Sequence, residues 1–306
     1  MEGILIIDKP AGITSHDVVA RVRRILQTKR VGHTGTLDPF ATGVMVILIG
    51  QATRLAQFLD KDEKEYEALV RFGFETDTGD LTGQMQNAEC RMQNEEIGKL
   101  LAATNWDEIF AGFRGQIEQT PPMYSAKKVD GKKLYEHARK GEIIERKSVT
   151  ITIYELELFG DLHQTDLGLE NWDLGLEVTC SAGTYIRTLA EDIGRKVGVG
   201  AHLAELRRTR AGKFGIEQSV TLEKLEQIDD KQTALIPMEE AVSHLEAFTL
   251  NADRVGKTKS GMSTRVFEPQ FSAGQPIQMI DEDGTLIAIG AYDDTENSVR
   301  PKVVLV

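Results

Sequence analysis

The sequence predicts an α+β fold, a sheet core with flanking helices followed by a small all-β unit. Three observations carry that prediction. Residues 64–74 and 174–180 alternate apolar and polar with period two, as half-buried strands do. Val18, Val22, Ile25 and Leu26, and again Ile186, Leu189, Ala190, Ile193 and Val197, recur at the helical period. From about Thr249 the helical stripes give way to short strand-like runs, two of them separated by a turn at Asp283-Gly284.

Each element follows from local patterning. Residues 3–7 form a short buried strand, and Asp8-Lys9-Pro10-Ala11-Gly12 punctuates it as a turn. Thr14 or Ser15 can cap the first helix. A glycine-rich loop, Gly32-His33-Thr34-Gly35-Thr36-Leu37-Asp38-Pro39-Phe40-Ala41-Thr42-Gly43, leads into the apolar strand 44–49. A short helix follows, with Leu55, Phe58 and Leu59 inward. In strand 64–74, Tyr66, Ala68, Val70 and Phe72 share one face, and Glu65, Glu67, Leu69 and Arg71 the other. Residues 76–83 are a polar loop whose acids lack the downstream glutamate of a calcium loop.

Residues 95–103 and 106–113 read as helices, and Pro121-Pro122 excludes helix from the segment after them. Val149, Ile151 and Ile153 alternate on one face, then Tyr154, Leu156 and Leu158 on the other, so a bulge is expected there. Short amphipathic helices are expected at 221–228 and 238–245, and strands at 276–280, 286–291 and 302–306. The division into domains falls near Phe248: residues 1–247, carrying a basic insertion at about 120–148, and residues 248–306.

At 306 residues, with 41% apolar and 27% charged side chains, the chain has the makings of a globular protein. Its apolar runs all fall short of the ~20 residues of a membrane helix. The start lacks a basic leader and its apolar run is too short for a signal peptide, so a cytoplasmic location is expected. Cys90 and Cys180 are far apart without metal-type spacing, and Cys180 continues the alternation of Leu174, Leu176 and Val178 as a buried structural thiol. The six histidines include no H-x-x-x-H pair, so no metal site is expected.

A net charge of −12 by itself argues against a nucleic-acid partner. Its distribution does not. Residues 126–147 carry Lys127, Lys128, Lys132, Lys133, Arg139, Lys140, Arg146 and Lys147 against Asp130, Glu136, Glu142 and Glu145. A second basic knot is Arg207, Arg208, Arg210 and Lys213. Such segregation permits a polyanion-binding face, and solvated helix faces and loops account for it equally.

The glycine-rich stretch holds one acid in twelve residues. Glycine allows positive φ and close backbone approach, while Pro39 fixes its own φ and restricts Asp38 to extended geometry. A tight polar turn is one reading of this composition; a rigidly presented carboxylate is the other. G-x-x-x-x-G-K-[ST] is absent, as is G-x-S-x-G. A phosphate cradle is opposed by the carboxylate in its middle. A lone poised acid suits nucleophilic or general-base work, and needs a cation to keep it ionised and aimed. Arg187 is a candidate, because guanidinium can fork a carboxylate bidentately.

Several blocks together resemble a known family. They are Asp8-Lys9-Pro10-x-Gly12-x-Thr14-Ser15-His16-Asp17, the glycine-rich stretch, Lys64 to Tyr66, Thr76-Asp77-Thr78-x-Asp80, and Tyr124-Ser125-Ala126-x-Lys128-x-x-Gly131. Ser181-x-Gly183-Thr184-Tyr185-Ile186-Arg187 and Gly200-Ala201-His202-x-x-x-Leu206-Arg207-Arg208-Thr209 complete the set. In this order and spacing they resemble the bacterial tRNA pseudouridine synthases of the TruB type, over residues 1–215.

The resemblance implies a mixed, mainly antiparallel sheet and a PUA-like C-terminal β domain. It implies isomerisation of uridine 55 in the TΨC loop of tRNA, with the T-arm as partner and neither metal nor organic cofactor. Asp38 would attack C1′ of the ribose or remove the C2′ proton. Tyr66 would stack on the flipped base and help remove the C5 proton, and Arg187 would pair with Asp38. His33 would fill the space left by the extruded nucleotide, next to Gly35 and Thr36. Tyr185 and Leu206 would line the pocket, core packing being the alternative for both. Lys128 and Lys132 of the basic insertion would clamp RNA, and Arg54 would contact phosphate. No protein partner or membrane is implied, and a monomer is expected. The competing reading is a tRNA-binding or folding protein without turnover, which needs the basic face but not Asp38.

Overall fold

A computed structural model describes residues 1–86, 92–125, 127–129, 131–138, 140–142, 144–165, 171–267 and 271–305. Cys90 lies outside the described residues. Among the described residues, the centre is a nine-stranded sheet whose main path runs Gly3–Lys9, Thr42–Ile49, Ala201–Ala211, Lys64–Phe72, Asn171–Cys180, Val149–Thr165, Gly115–Gln119. Every pairing along it is antiparallel except one, where Arg207 and Arg208 run parallel to Thr42 and Gly43. The expected mixed, mainly antiparallel α+β architecture is therefore present. Helices Asn94–Ala103, Trp106–Ala111 and Ile186–Val197 cover one face, packing Ile97, Phe110, Leu189 and Ile193 against Ala68, Val70, Phe72 and Val178.

Local chemistry accounts for these elements. Thr14 caps helix Ser15–Ile25, and Asp17 returns the contact in a capping box. Strand Lys64–Phe72 alternates without a break, burying Tyr66, Ala68, Val70 and Phe72. The expected bulge falls between Ile153 and Glu155. Of the second set Leu156 is buried, while Tyr154 and Leu158 are exposed. Part of the glycine-rich stretch is strand and not loop: Val31–Thr34 pairs with Thr42–Ile49, placing His33 opposite Ile47. Gly115–Gln119, which lacks a clean alternation, is an edge strand.

The tail forms a second sheet, ordered Glu246–Thr249, Pro276–Ile280, Leu286–Asp293, Ser298–Val304, Thr264–Arg265. Its first strand straddles the boundary expected at Phe248, and a helix, Ala252–Lys259, was not legible in the tail. The two sheets share a core: Leu286, Ile289, Val303 and Leu305 pack with Ile4, Ile6, Val44, Val46 and Leu48.

Gly43 shows how tightly the central strands are set. Its φ is +100°, and a Cβ there would lie 2.2 Å from the Arg208 carbonyl oxygen. Gly43→Ala is expected to destabilise the protein by about 2–4 kcal/mol, through strain and backbone displacement. Urea unfolding measures this, and a midpoint equal to wild type would contradict it.

Candidate active site

The acid loop is held from three sides. The Lys9 ammonium, fully buried, donates to the carbonyls of Pro10 (3.0 Å), Pro39 (3.2 Å) and Ala41 (2.7 Å). Ser15 Oγ and the Leu37 backbone bond to each other in both directions. Arg208, also buried, donates through Nε to the Val44 carbonyl and through Nη2 to Gly35. Since every strap grips backbone, the Asp38 side chain is left free to face the cavity.

Arg187 meets it there. Its Nε lies 2.9 Å from Asp38 Oδ2 and its Nη2 donates to Oδ1 at 3.2 Å, a two-point fork. The remaining donors reach the carbonyls of Thr78 and Tyr124, each at 2.8 Å, and Nη1 stands 3.6 Å from Asp80 Oδ2. Arg187 belongs to the first turn of helix Ile186–Val197, whose N-cap, Tyr185, makes no side-chain cap. Gln119 of the edge strand fixes this residue from outside the helix, accepting from the Tyr185 N–H and donating to the Tyr185 carbonyl. The arginine is thus aimed by tertiary contacts.

Of the residues expected in the site, Gly35, Thr36, Asp38, Tyr66, Tyr185, Arg187 and Leu206 line one cavity of about 290 Å³. Others fall elsewhere. His33 stands edge-on to His16, ring centroids 6.0 Å apart. Arg54 is exposed and donates to the carbonyl of Val304 in the second sheet. Lys132 is exposed in a hairpin with Lys128, whose side chain lies outside the described residues. The second basic knot is largely neutralised: Arg207 forks Asp8, Arg210 pairs with Glu65, and Arg208 is internal.

Sequence reasoning missed Asp80, Lys9, Lys64 and Arg208. Asp80 stood in one of the family blocks without a role, and the structure buries it against Arg187. Lys64 occupies the inward phase of the Tyr66 strand, a signal that alternation could have supplied.

Electrostatics follow from this packing. Burial raises the Asp38 carboxyl above its ordinary 3.8, with Arg187 and Lys9 opposing and Asp80 reinforcing. The side chain keeps 32% of its surface open, and the guanidinium fork favours the ionised form against that burial. Desolvation brings Lys9 and Lys64 down to about 8. Burial raises the Tyr66 phenol while the Arg208 cation opposes it, so a neutral ring faces the cavity. Burial, His16 and Arg208 all push the His33 imidazole down, toward the uncharged ring.

The constellation defines a class: a catalytic centre built on one cation-forked carboxylate beside a neutral aromatic. Comparison with known proteins agrees with that class. The family model described as "TruB family pseudouridylate synthase (N terminal domain)" matches residues 23–186, and "tRNA pseudouridylate synthase B C-terminal domain" matches 187–243. A tRNA pseudouridine synthase B of Geobacillus kaustophilus is 45% identical, covering 87% of this chain and 92% of that protein. That of Solibacter usitatus is 41% identical over the whole of both chains. A solved H/ACA ribonucleoprotein bound to a substrate RNA containing 2'-deoxyuridine includes a chain of 27% identity. It superposes with a TM-score of 0.71 over 99% of this chain and 85% of that one. A Cbf5-Nop10-Gar1 complex matches equally well, at 28% identity, TM-score 0.71 and the same coverage. The chain belongs to the TruB family of pseudouridylate synthases.

Proposed function

We infer that this protein is a tRNA pseudouridine synthase that isomerises uridine 55 in the T-arm. The observation that carries the reading is the Asp38 carboxylate, forked by buried Arg187 and open to a cavity beside Tyr66, in a chain of this family. In the reaction the N1–C1′ bond breaks, the base turns, C5 bonds to C1′, the C5 proton leaves to solvent, and N1 takes up a proton in exchange. Asp38 attacks C1′ or takes the C2′ proton, and either role requires it ionised. The neutral Tyr66 ring stacks on the base and assists removal of the C5 proton. A uridine inside a structured loop must first leave its stack, at a cost of a few kcal/mol. His33, pushed toward the uncharged ring by burial, is assigned to fill the vacated space by stacking.

The insertion at about 120–148 acts as an RNA clamp through Lys132 and its neighbours, and the domain after residue 247 is a PUA-like RNA-binding unit. Arg54, exposed at the seam between the sheets, is assigned a phosphate contact. The protein works as a cytoplasmic monomer without a protein partner, metal or organic cofactor. Among the described residues, no helix is long and apolar enough to cross a membrane.

The reading is tested by tritium release from tRNA labelled at C5 of uridine. Release above background, with the label lost from position 55 and no free uracil, is expected. Background release alone favours a tRNA-binding protein without turnover; free uracil indicates hydrolysis.

The raised Asp38 carboxyl adds a pH dependence. Activity needs the ionised form, so it falls as pH drops through the folded value, and burial moves that fall above the ordinary 3.8. A single-turnover rate profile from about pH 4 to pH 8 should show this acid limb. A rate still flat at pH 4 would remove Asp38 from the essential step.

A further inference from the structure

Behind the Arg187–Asp38 pair lies a second charged layer that the reaction does not touch. Arg187, Glu191 and Arg195 occupy positions i, i+4 and i+8 of helix Ile186–Val197, and so share one face. Arg195 forks Glu75, Nε to Oε1 at 2.8 Å and Nη2 to Oε2 at 3.0 Å. It also reaches Asp192 at 3.2 Å and Glu191 at 3.8 Å. Glu75 begins the segment that continues to Asp80, so this layer anchors the start of the very loop that feeds acceptors to Arg187.

The loop also rests on Glu191 itself. Gly79 has φ +72°, and a Cβ there would stand 2.7 Å from Glu191 Oε1 and 3.4 Å from Arg187 Cβ. The turn is pinned on its other side by Leu203, which donates to the Gly79 carbonyl and accepts from the Leu81 N–H, both at 3.0 Å. Gly79 is therefore held between a strand backbone and the Glu191 carboxyl. The groups flanking it, the Thr78 carbonyl and the Asp80 carboxylate, are those that orient Arg187 Nη1.

We propose that Glu191 is a positioning residue, its carboxyl supporting the Gly79 turn and thereby the Thr78 and Asp80 acceptors that aim Arg187 at Asp38. This rests on the pseudouridine synthase reading. Burial, then Glu75 and Asp192, raise Glu191 to about 7 against the pull of Arg195 and Arg187. At that value about half of the carboxyl is uncharged at neutral pH, and its support of the turn is one of shape, so the isosteric glutamine should substitute for it.

The test compares Glu191→Ala, Glu191→Leu and Glu191→Gln by single-turnover tritium release, tRNA binding and thermal unfolding. In the Ala and Leu variants Arg187 loses its fixed aim. The single-turnover rate should fall about tenfold or more while tRNA affinity stays within about twofold. Asp38 is faced by Arg187, Asp80, Lys9, Tyr66 and Tyr185, and Arg187 is the main group holding its carboxyl down. Loosening that cation should move the acid limb of the rate profile to higher pH, by roughly half a unit or more. Glu191→Gln should recover both rate and limb. Leu keeps the volume if Ala does not fold. The proposal is overturned by wild-type rate and limb in Ala and Leu, or by Gln behaving like Leu. Rate loss that merely parallels lost affinity or lost folded fraction, with the limb unmoved, also overturns it. Wild-type tritium release reports on the underlying function independently of all three variants.

Discussion

Asp38→Asn is expected to reduce single-turnover pseudouridine formation by at least about 10⁴-fold, the scale seen when an essential group of a catalytic unit is removed. Asparagine has nearly the same volume, so the loop strapped by Lys9, Ser15 and Arg208 retains its shape. Arg187 keeps its bonds to Thr78 and Tyr124. What disappears is the negative charge and the basic oxygen. tRNA affinity should therefore persist while tritium release vanishes, and the two measurements on one preparation separate chemistry from binding. Undiminished release in Asp38→Asn would end the catalytic assignment.

Arg187→Met should damage both activity and fold. It strips the cation from Asp38, which keeps a third of its side chain open, and from Asp80, whose side chain is only 7% exposed. Removing one partner of such a buried cluster costs about 3–5 kcal/mol, because the remaining carboxylates are left uncompensated. The Thr78 and Tyr124 carbonyls also lose their donor. With the guanidinium gone, the Asp38 carboxyl rises further, so the loss should be greater at acid pH than at pH 8. A rate reduced by about 10³-fold, together with a lower unfolding midpoint, is expected. Equal stability in the variant would show that the pair is held by something other than mutual charge.

How much of this could be read beforehand differs between the elements and the site. Strand Lys64–Phe72 and helix Ile186–Val197 were legible because each buries one face, and one-sided burial writes its period into the chain. Gly115–Gln119, an edge strand with little burial, carried no such pattern. The shared core between the two sheets was invisible, because Leu286 and Ile289 look the same whether they face their own sheet or another.

Within the site, local composition allowed either a tight polar turn or a rigidly presented Asp38 carboxylate in need of a cation, and the family blocks implied Tyr66 and Arg187 as its companions. Only the tertiary structure decided which charges are free. Arg207, Arg208 and Arg210 look alike in the sequence, yet one forks Asp8, one is buried on backbone carbonyls and one pairs with Glu65. Asp80 likewise became part of the site only when the chain brought its turn onto Arg187. The physical reason is that periodicity records burial, an average over many contacts. The partner of a charged group depends on one distance between residues far apart in the chain.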